Sequence, residues 1–120
     1  MKKVETTEAK VTRTLHELGF SPSVRGFHYL RSGILKCFSD ILLAESITTK
    51  LYPLIAKEYE STPQRVERAI RHSIEKAFKE ANEETYQKLN ALFIIPKGKT
   101  KPTNADVIAA LADSLRIGTI

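Results

Sequence analysis

Leu51-Tyr-Pro-Leu-Ile-Ala-Lys-Glu-Tyr-Glu-Ser-Thr-Pro-Gln-Arg-Val-Glu-Arg-Ala-Ile-Arg-His72 is the most informative segment of this 120-residue sequence. Its apolar periodicity predicts a helix over residues 51–59, a short break, and a long helix over about 63–80. Two helices joined by such a short turn are typical of a helix-turn-helix. Ala56 is small where the two helices would cross, and this motif would bury Ile55, Tyr59, Val66 and Ala69. The turn of this motif often carries a glycine, and Glu60 lies near that position.

The second helix of this pair has one apolar and one polar face. Thr62 is predicted to cap it, and Pro63 suits its first helical position. Val66, Ile70 and Ile74 fall on the inward side at 100° per residue. The side chains that we predict to read DNA bases lie on the outward face and its flank: Gln64, Arg65, Glu67, Arg68 and Arg71.

Such a face is typical of a recognition helix, whose first residues reach base edges in the major groove. Arginine can donate two hydrogen bonds to guanine, glutamine can pair with adenine, and a glutamate can accept from cytosine. The carboxylate of Glu67 would repel phosphate, so it fits as a cytosine reader or as a partner that orients an arginine. The alternative is a solvated amphipathic helix on which arginine and glutamate simply pair with each other.

The rest of the sequence predicts further helices and no strand, which makes the protein all-α. Glycine and proline number only five each, too few for a turn-rich β fold. We predict a flexible N-terminal segment over residues 1–10 and one helical domain over 11–120, with the helix-turn-helix at about 50–80. The other predicted helices cover about 11–18, a segment through 29–43, 82–93 and 103–117. Ser21-Pro22 offers a start for the second of the four. In that second helix, Leu30, Ile34, Phe38, Ile41 and Leu42 are expected on one buried face. Thr103 with Asp106 resembles a capping box for the last helix, and Gly118 ends it.

Charge and composition limit the classes of function. The net charge of +5 and the pI near 9.4 are compatible with nucleic acid, an anionic membrane or an acidic partner. The sequence has neither a signal-peptide pattern nor an apolar run of about 20 residues, so we expect a cytoplasmic protein with no membrane partner. The single Cys37 suits a reducing compartment.

Catalysis and metal binding find no support in the sequence. Cys37, His16, His28 and His72 are residue types that enzymes use, but their spacing matches no catalytic motif. No Cys/His cluster has zinc-ligand spacing, and no glycine-rich phosphate loop is present. We therefore expect no enzyme activity, no metal and no cofactor.

Several blocks of the chain resemble the C-terminal effector domain of the sporulation stage-zero response regulators of endospore-forming bacteria. The resemblance covers about residues 15–115. It rests on the following blocks: Leu15-His-Glu-Leu-Gly19, Gly26-Phe-His-Tyr-Leu-Arg31, Ser46-Ile-Thr, Leu51-Tyr-Pro-Leu-Ile-Ala-Lys57, Arg65-Val-Glu-Arg-Ala-Ile-Arg-His72 and Lys101-Pro-Thr-Asn104.

The resemblance implies six helices with the helix-turn-helix in the middle, and binding to short double-stranded DNA boxes, often in tandem. It implies activation or repression of transcription at the entry into sporulation. It assigns DNA recognition to Arg65, Glu67 and Arg68, and places Arg71 and His72 near the DNA backbone. Family members carry a phosphorylatable receiver domain before this one. The present sequence has no receiver pattern, which leaves an excised domain and a stand-alone relative both open.

Additional contacts are expected from lysines and from one apolar group. We expect phosphate contacts from basic side chains near the helix-turn-helix and in the loop before the last helix: Lys50, Lys57, His72, Lys97, Lys99 and Lys101. A solvated loop is the alternative for the last three. In the family, the region around Leu92-Phe93 approaches the sigma subunit of RNA polymerase. Leu89, Leu92 and Phe93 are therefore candidates for polymerase contact, and a protein-docking domain is the alternative function. A second copy on tandem DNA sites is a further expected partner.

Overall fold

The computed structural model describes residues 4–120, and this part of the chain contains six α-helices and no strand. The helices are α1 (Thr7–Glu17), α2 (Arg25–Ser39), α3 (Tyr52–Glu58), α4 (Pro63–Glu80), α5 (Glu83–Leu92) and α6 (Asn104–Ile117). A 3-10 helix, Ile41–Glu45, and a π-helical turn, Ile47–Leu51, connect α2 to α3. The all-α prediction is confirmed.

Local capping sets the start of most helices. The Thr62 hydroxyl accepts from the Arg65 N–H at 3.2 Å, and Pro63 opens α4 as predicted. The Thr103 hydroxyl accepts from the Asp106 N–H at 3.1 Å and starts α6. Each bond satisfies one of the N–H groups that a first helical turn leaves without a partner.

The first helix begins four residues earlier than predicted. Thr6 caps it by accepting from the Ala9 N–H at 3.0 Å, so residues 7–10 are helical and not part of a flexible segment. The Glu5 carboxylate accepts from the Arg13 guanidinium at 2.9 Å and adds to this start. Residues 1–3 lie outside the described part of the chain.

The second helix is shorter than predicted at both ends, since Ser21-Pro22 does not start it and residues 40–43 do not belong to it. It begins at Arg25 and ends at Ser39, because Asp40 is extended and its carboxylate accepts from the Leu42 N–H at 3.1 Å. That bond starts the separate 3-10 helix. Ile41 and Leu42 are consequently 58% and 65% exposed, so their predicted burial is wrong.

Helix α2 lies at the centre of the fold and packs against α1, α4 and α6. Phe27, Leu30 and Ile34 are fully buried on it. Gly26 lies against α4 so closely that a Cβ there would be 2.1 Å from the Ala69 carbonyl oxygen. The missing side chain therefore fixes how near α4 can approach the centre.

Two further observations concern the single cysteine and the apolar character of the helices. Cys37 is fully buried on α2, and its carbonyl oxygen accepts from Arg116 at 2.7 Å. Within residues 4–120, none of the helices has the length and apolar character that crossing a bilayer requires.

Candidate nucleic-acid interface

The turn between α3 and α4 takes the geometry of a helix-turn-helix. Glu60 has a φ of +53°, the left-handed conformation in which glycine is usual. The Ser61 N–H bonds to the Ala56 carbonyl at 2.8 Å, which closes the end of α3 in a Schellman motif. A glutamate thus occupies the position where this motif often carries a glycine.

The two helices of the motif pack through small and branched side chains. Ile55 and Ala56 on α3, and Val66 and Ile70 on α4, are buried as predicted. Tyr59 was also expected inside, but it is 40% exposed and lies edge-on against Tyr29 with ring centroids 5.1 Å apart. This packing sets the position of α4 relative to α3 and leaves the polar face of α4 turned outward.

The structure brings the five predicted base-reading residues onto one accessible surface at the N-terminal half of α4. Glu67 is partly exposed, and the other four are exposed: Gln64, Arg65, Arg68 and Arg71. An Arg71 guanidinium nitrogen lies 3.1 Å from a Glu67 carboxylate oxygen. In the described part of the chain, Arg65 and Arg68 make no ion pair, so both guanidinium groups are available to a ligand.

A groove of about 410 Å³ lies beside this surface. Thr48 of the π-helical turn and Tyr52 of α3 form one wall, and the outward residues of α4 form the other. Sequence reasoning missed Thr48 and Tyr52. Their spacing of four residues on successive helical turns is the only sequence signal that could have indicated a common face.

Asn104 connects the three helices around this groove. Its side-chain amide nitrogen donates to the Tyr52 hydroxyl at 3.1 Å and to the Glu67 carbonyl at 3.0 Å. Burial raises the pKa of Tyr52, and the hydrogen bond from Asn104 opposes that effect. The Lys101-Pro-Thr-Asn104 block therefore ends in a residue that ties α6 to α3 and α4.

The six predicted phosphate contacts occupy different surroundings. Lys101 is bound to Glu75 of α4 at 2.6 Å, and this hydrogen bond lowers the pKa of Glu75. That pair holds the loop before α6 against the outer side of α4. The remaining members are exposed: Lys50, Lys57, His72, Lys97 and Lys99.

The candidate polymerase-contact group is largely inside the protein. Leu89 is fully buried and Phe93 is 4% exposed, while Leu92 is partly buried and packs on the core. Leu89 and Phe93 cannot form a docking surface in this structure, because their side chains fill the space under α5. The exposed apolar residues of that region are Tyr86 and Ile94, at 42% and 84%.

One family of known proteins matches almost the whole chain. Residues 11–115 match the family described as "Sporulation initiation factor Spo0A C terminal". The matched range includes every helix from the middle of α1 to near the end of α6 and the complete surface described above. The resemblance stated from the sequence is confirmed.

Proposed function

The chain belongs to the family of C-terminal domains of the sporulation initiation factor Spo0A, DNA-binding regulators of sporulation, and from this premise we propose that α4 reads DNA sequence in the major groove. The family is regulatory, which agrees with the absence of a catalytic motif in the sequence. The observation that carries the proposal is the exposed face of α4, where Arg65 and Arg68 carry guanidinium groups without ion-pair partners among residues 4–120.

The position of α4 suits this role. It spans 18 residues and begins directly after the tight turn, and the polar side chains of its first two turns are exposed: Gln64, Arg65 and Arg68. The major groove is about 12 Å wide and admits one α-helix. The packing of Val66 and Ile70 on the core leaves only the polar face to enter it.

Each side chain has a distinct proposed task. Arg65 and Arg68 would donate to guanine, and Gln64 would pair with adenine. Glu67 would accept from cytosine or, through its ion pair, orient Arg71. A bidentate base contact of this kind contributes about 1–3 kcal/mol of discrimination.

The exposed basic residues would hold the DNA backbone. Lys50 precedes α3, Lys57 lies in its last turn, and His72 follows the base-reading group on α4. Lys97 and Lys99 lie in the loop that the Lys101–Glu75 pair holds against α4. Contacts of this type carry no sequence information and weaken steeply as salt rises.

The proposal is tested by selecting bound DNA from a random duplex library and repeating the binding at two salt concentrations. We expect one short enriched motif and a steep loss of affinity at the higher salt. No enrichment together with salt-insensitive behaviour would refute the proposal and favour a protein-docking domain. Pairs of motifs at fixed spacing would support two copies bound in tandem.

Two matched variants separate base reading from backbone contact. Arg68→Ala should reduce the difference in binding free energy between selected and scrambled DNA by about 1–3 kcal/mol. Lys99→Ala should weaken both DNAs alike. Equal losses on both DNAs for Arg68→Ala, or a loss confined to the selected DNA for Lys99→Ala, would contradict these roles.

A further inference from the structure

The groove between α3 and α4 contains a hydroxyl whose hydrogen-bonding direction is fixed by its neighbours. Asn104 uses one amide hydrogen on the Tyr52 oxygen and the other on the Glu67 carbonyl. The amide cannot be reversed, because its oxygen would then face the Glu67 carbonyl oxygen. Tyr52 therefore accepts from Asn104, and its own proton must point elsewhere.

That proton has no acceptor within residues 4–120, although the Tyr52 side chain lines the groove. Tyr52 is 95% buried, with 5% of its surface exposed. A phenol held at this depth by packing and by Asn104 loses little conformational freedom when it meets a ligand. Its hydrogen is therefore available to a ligand that occupies the groove beside α4.

The charge of the groove selects the ligand. Arg68 and Arg71 line it together with a single carboxylate, that of Glu67. Because Glu67 is paired with Arg71 at 3.1 Å, one positive charge, that of Arg68, remains unbalanced. Thr48 adds a second hydroxyl from the opposite wall. Hydroxyl donors beside an arginine fit an oxygen anion of a phosphodiester.

We propose that this groove seats one phosphate of the DNA backbone, which accepts hydrogen bonds from the hydroxyls of Tyr52 and Thr48 beside Arg68. The proposal rests on the proposed function, since it assumes that α4 lies in the major groove. It makes Asn104 a positioning residue, because the amide acts on DNA only through the orientation of Tyr52. We call this contact of Tyr52 and Thr48 with one phosphate the clamp. It would fix how far α4 enters the DNA major groove and so place its base-reading side chains.

The test removes single hydroxyl groups. Tyr52→Phe should weaken binding to the selected duplex about tenfold, the scale of a hydrogen bond to a charged group. The slope of affinity against salt should not change, because the lost group is neutral. Tyr59→Phe is the matched control on the same part of the motif. Its hydroxyl lies outside the groove, and its loss should leave affinity unchanged.

A second measurement distinguishes a phosphate contact from a structural role. Phosphates of the selected duplex are replaced one at a time by neutral methylphosphonate. With the unmodified protein, one such replacement should cost at least about tenfold in affinity. In Tyr52→Phe the cost at that same phosphate should shrink, while the costs at all other phosphates stay as they were. A uniform loss with no coupling to one phosphate would mean that Tyr52 acts only on the fold, and would overturn the proposal.

The remaining outcomes are also decisive. If the Tyr52→Phe variant is folded and binds the selected duplex as tightly as the unmodified protein, the proposal is overturned. If thermal denaturation shows that Tyr52→Phe does not fold, Thr48→Val carries the test, since Thr48 is exposed and its hydroxyl lies in the same groove. It should show the same coupling to one phosphate, and its absence would refute the clamp. If the unmodified protein selects no DNA at all, the proposed function has failed, and the phosphate contact that assumes it is overturned with it.

Discussion

Gly26→Ala would place a methyl group against the backbone of α4, at the crossing that positions the proposed recognition helix. The new Cβ would lie 2.1 Å from the Ala69 carbonyl oxygen and 2.7 Å from the Ser73 Cβ. Ordinary contacts of a Cβ begin at about 3.4 Å, so α2 and α4 would have to separate by roughly 1 Å. Neither helix can yield by a side-chain rotation, because the closest atom belongs to the backbone.

The size of the effect follows from two opposing contributions. Overpacking a core costs about 1–3 kcal/mol, and a clash with backbone belongs at the upper end of that range. Alanine returns up to about 1 kcal/mol through its higher helix propensity. We therefore expect the free energy of unfolding to fall by about 2 kcal/mol. For a domain of this size that corresponds to a Tm lowered by roughly 6–12 °C.

Thermal and urea denaturation followed by circular dichroism measure this change, with Gly33→Ala as the control on the same helix. A Cβ at Gly33 would meet only the ends of side chains, Ile55 Cδ1 at 3.3 Å and Leu51 Cδ2 at 3.5 Å. These can move, so Gly33→Ala should change the free energy of unfolding by less than about 1 kcal/mol. The reasoning would be refuted if Gly26→Ala had the same free energy of unfolding as the unmodified protein. It would also be refuted if Gly33→Ala lowered that free energy as much as Gly26→Ala does.

Three further substitutions or treatments test other parts of the structure. Glu60→Gly should raise the free energy of unfolding by about 0.5–1 kcal/mol, since glycine adopts the left-handed conformation without strain; a lower urea midpoint would contradict this. Hydrogen bonds from Ser32 at 2.5 Å and Lys36 at 2.9 Å lower the pKa of the Glu58 carboxyl below its ordinary value of 4.5. The charged carboxylate therefore stabilises the fold above about pH 4.5, and this stabilisation is lost as the pH falls through the lowered pKa. Glu58→Gln should therefore be less stable at about pH 7, and the difference should shrink as the pH falls through the lowered pKa of Glu58. A constant difference across pH would argue against the bond. Burial raises the pKa of the Cys37 thiol to about 11, so iodoacetamide should modify this thiol only as fast as the protein unfolds. Rapid labelling of the native protein at about pH 8 would contradict the burial of Cys37.

The helix-turn-helix and the exposed face of α4 could be predicted from the sequence because they depend on local chemistry. Thr62 caps the Arg65 N–H three residues away, and Pro63 lacks the N–H that a helix start would leave unpaired. The 3.6-residue period separates Val66 and Ile70 from the polar face whatever covers them. The same local signals placed the start of α6 at Thr103 and its end at Gly118, which has a φ of +78°.

Contacts between helices depended on the arrangement of residues far apart in the sequence, which no local pattern encodes. Asn104 meets Tyr52 across 52 positions and Glu67 across 37, and Lys101 reaches Glu75 across 26. Periodicity marks a side chain as apolar but does not state which neighbour covers it. Ile41 was therefore assigned to the core although it is exposed. Leu89 was assigned to a docking surface from the family resemblance although it is buried. The sequence determined which faces could be buried and which helix could meet DNA; the packing of α2, α4 and α6 determined which apolar residues were covered and where the groove beside that helix formed.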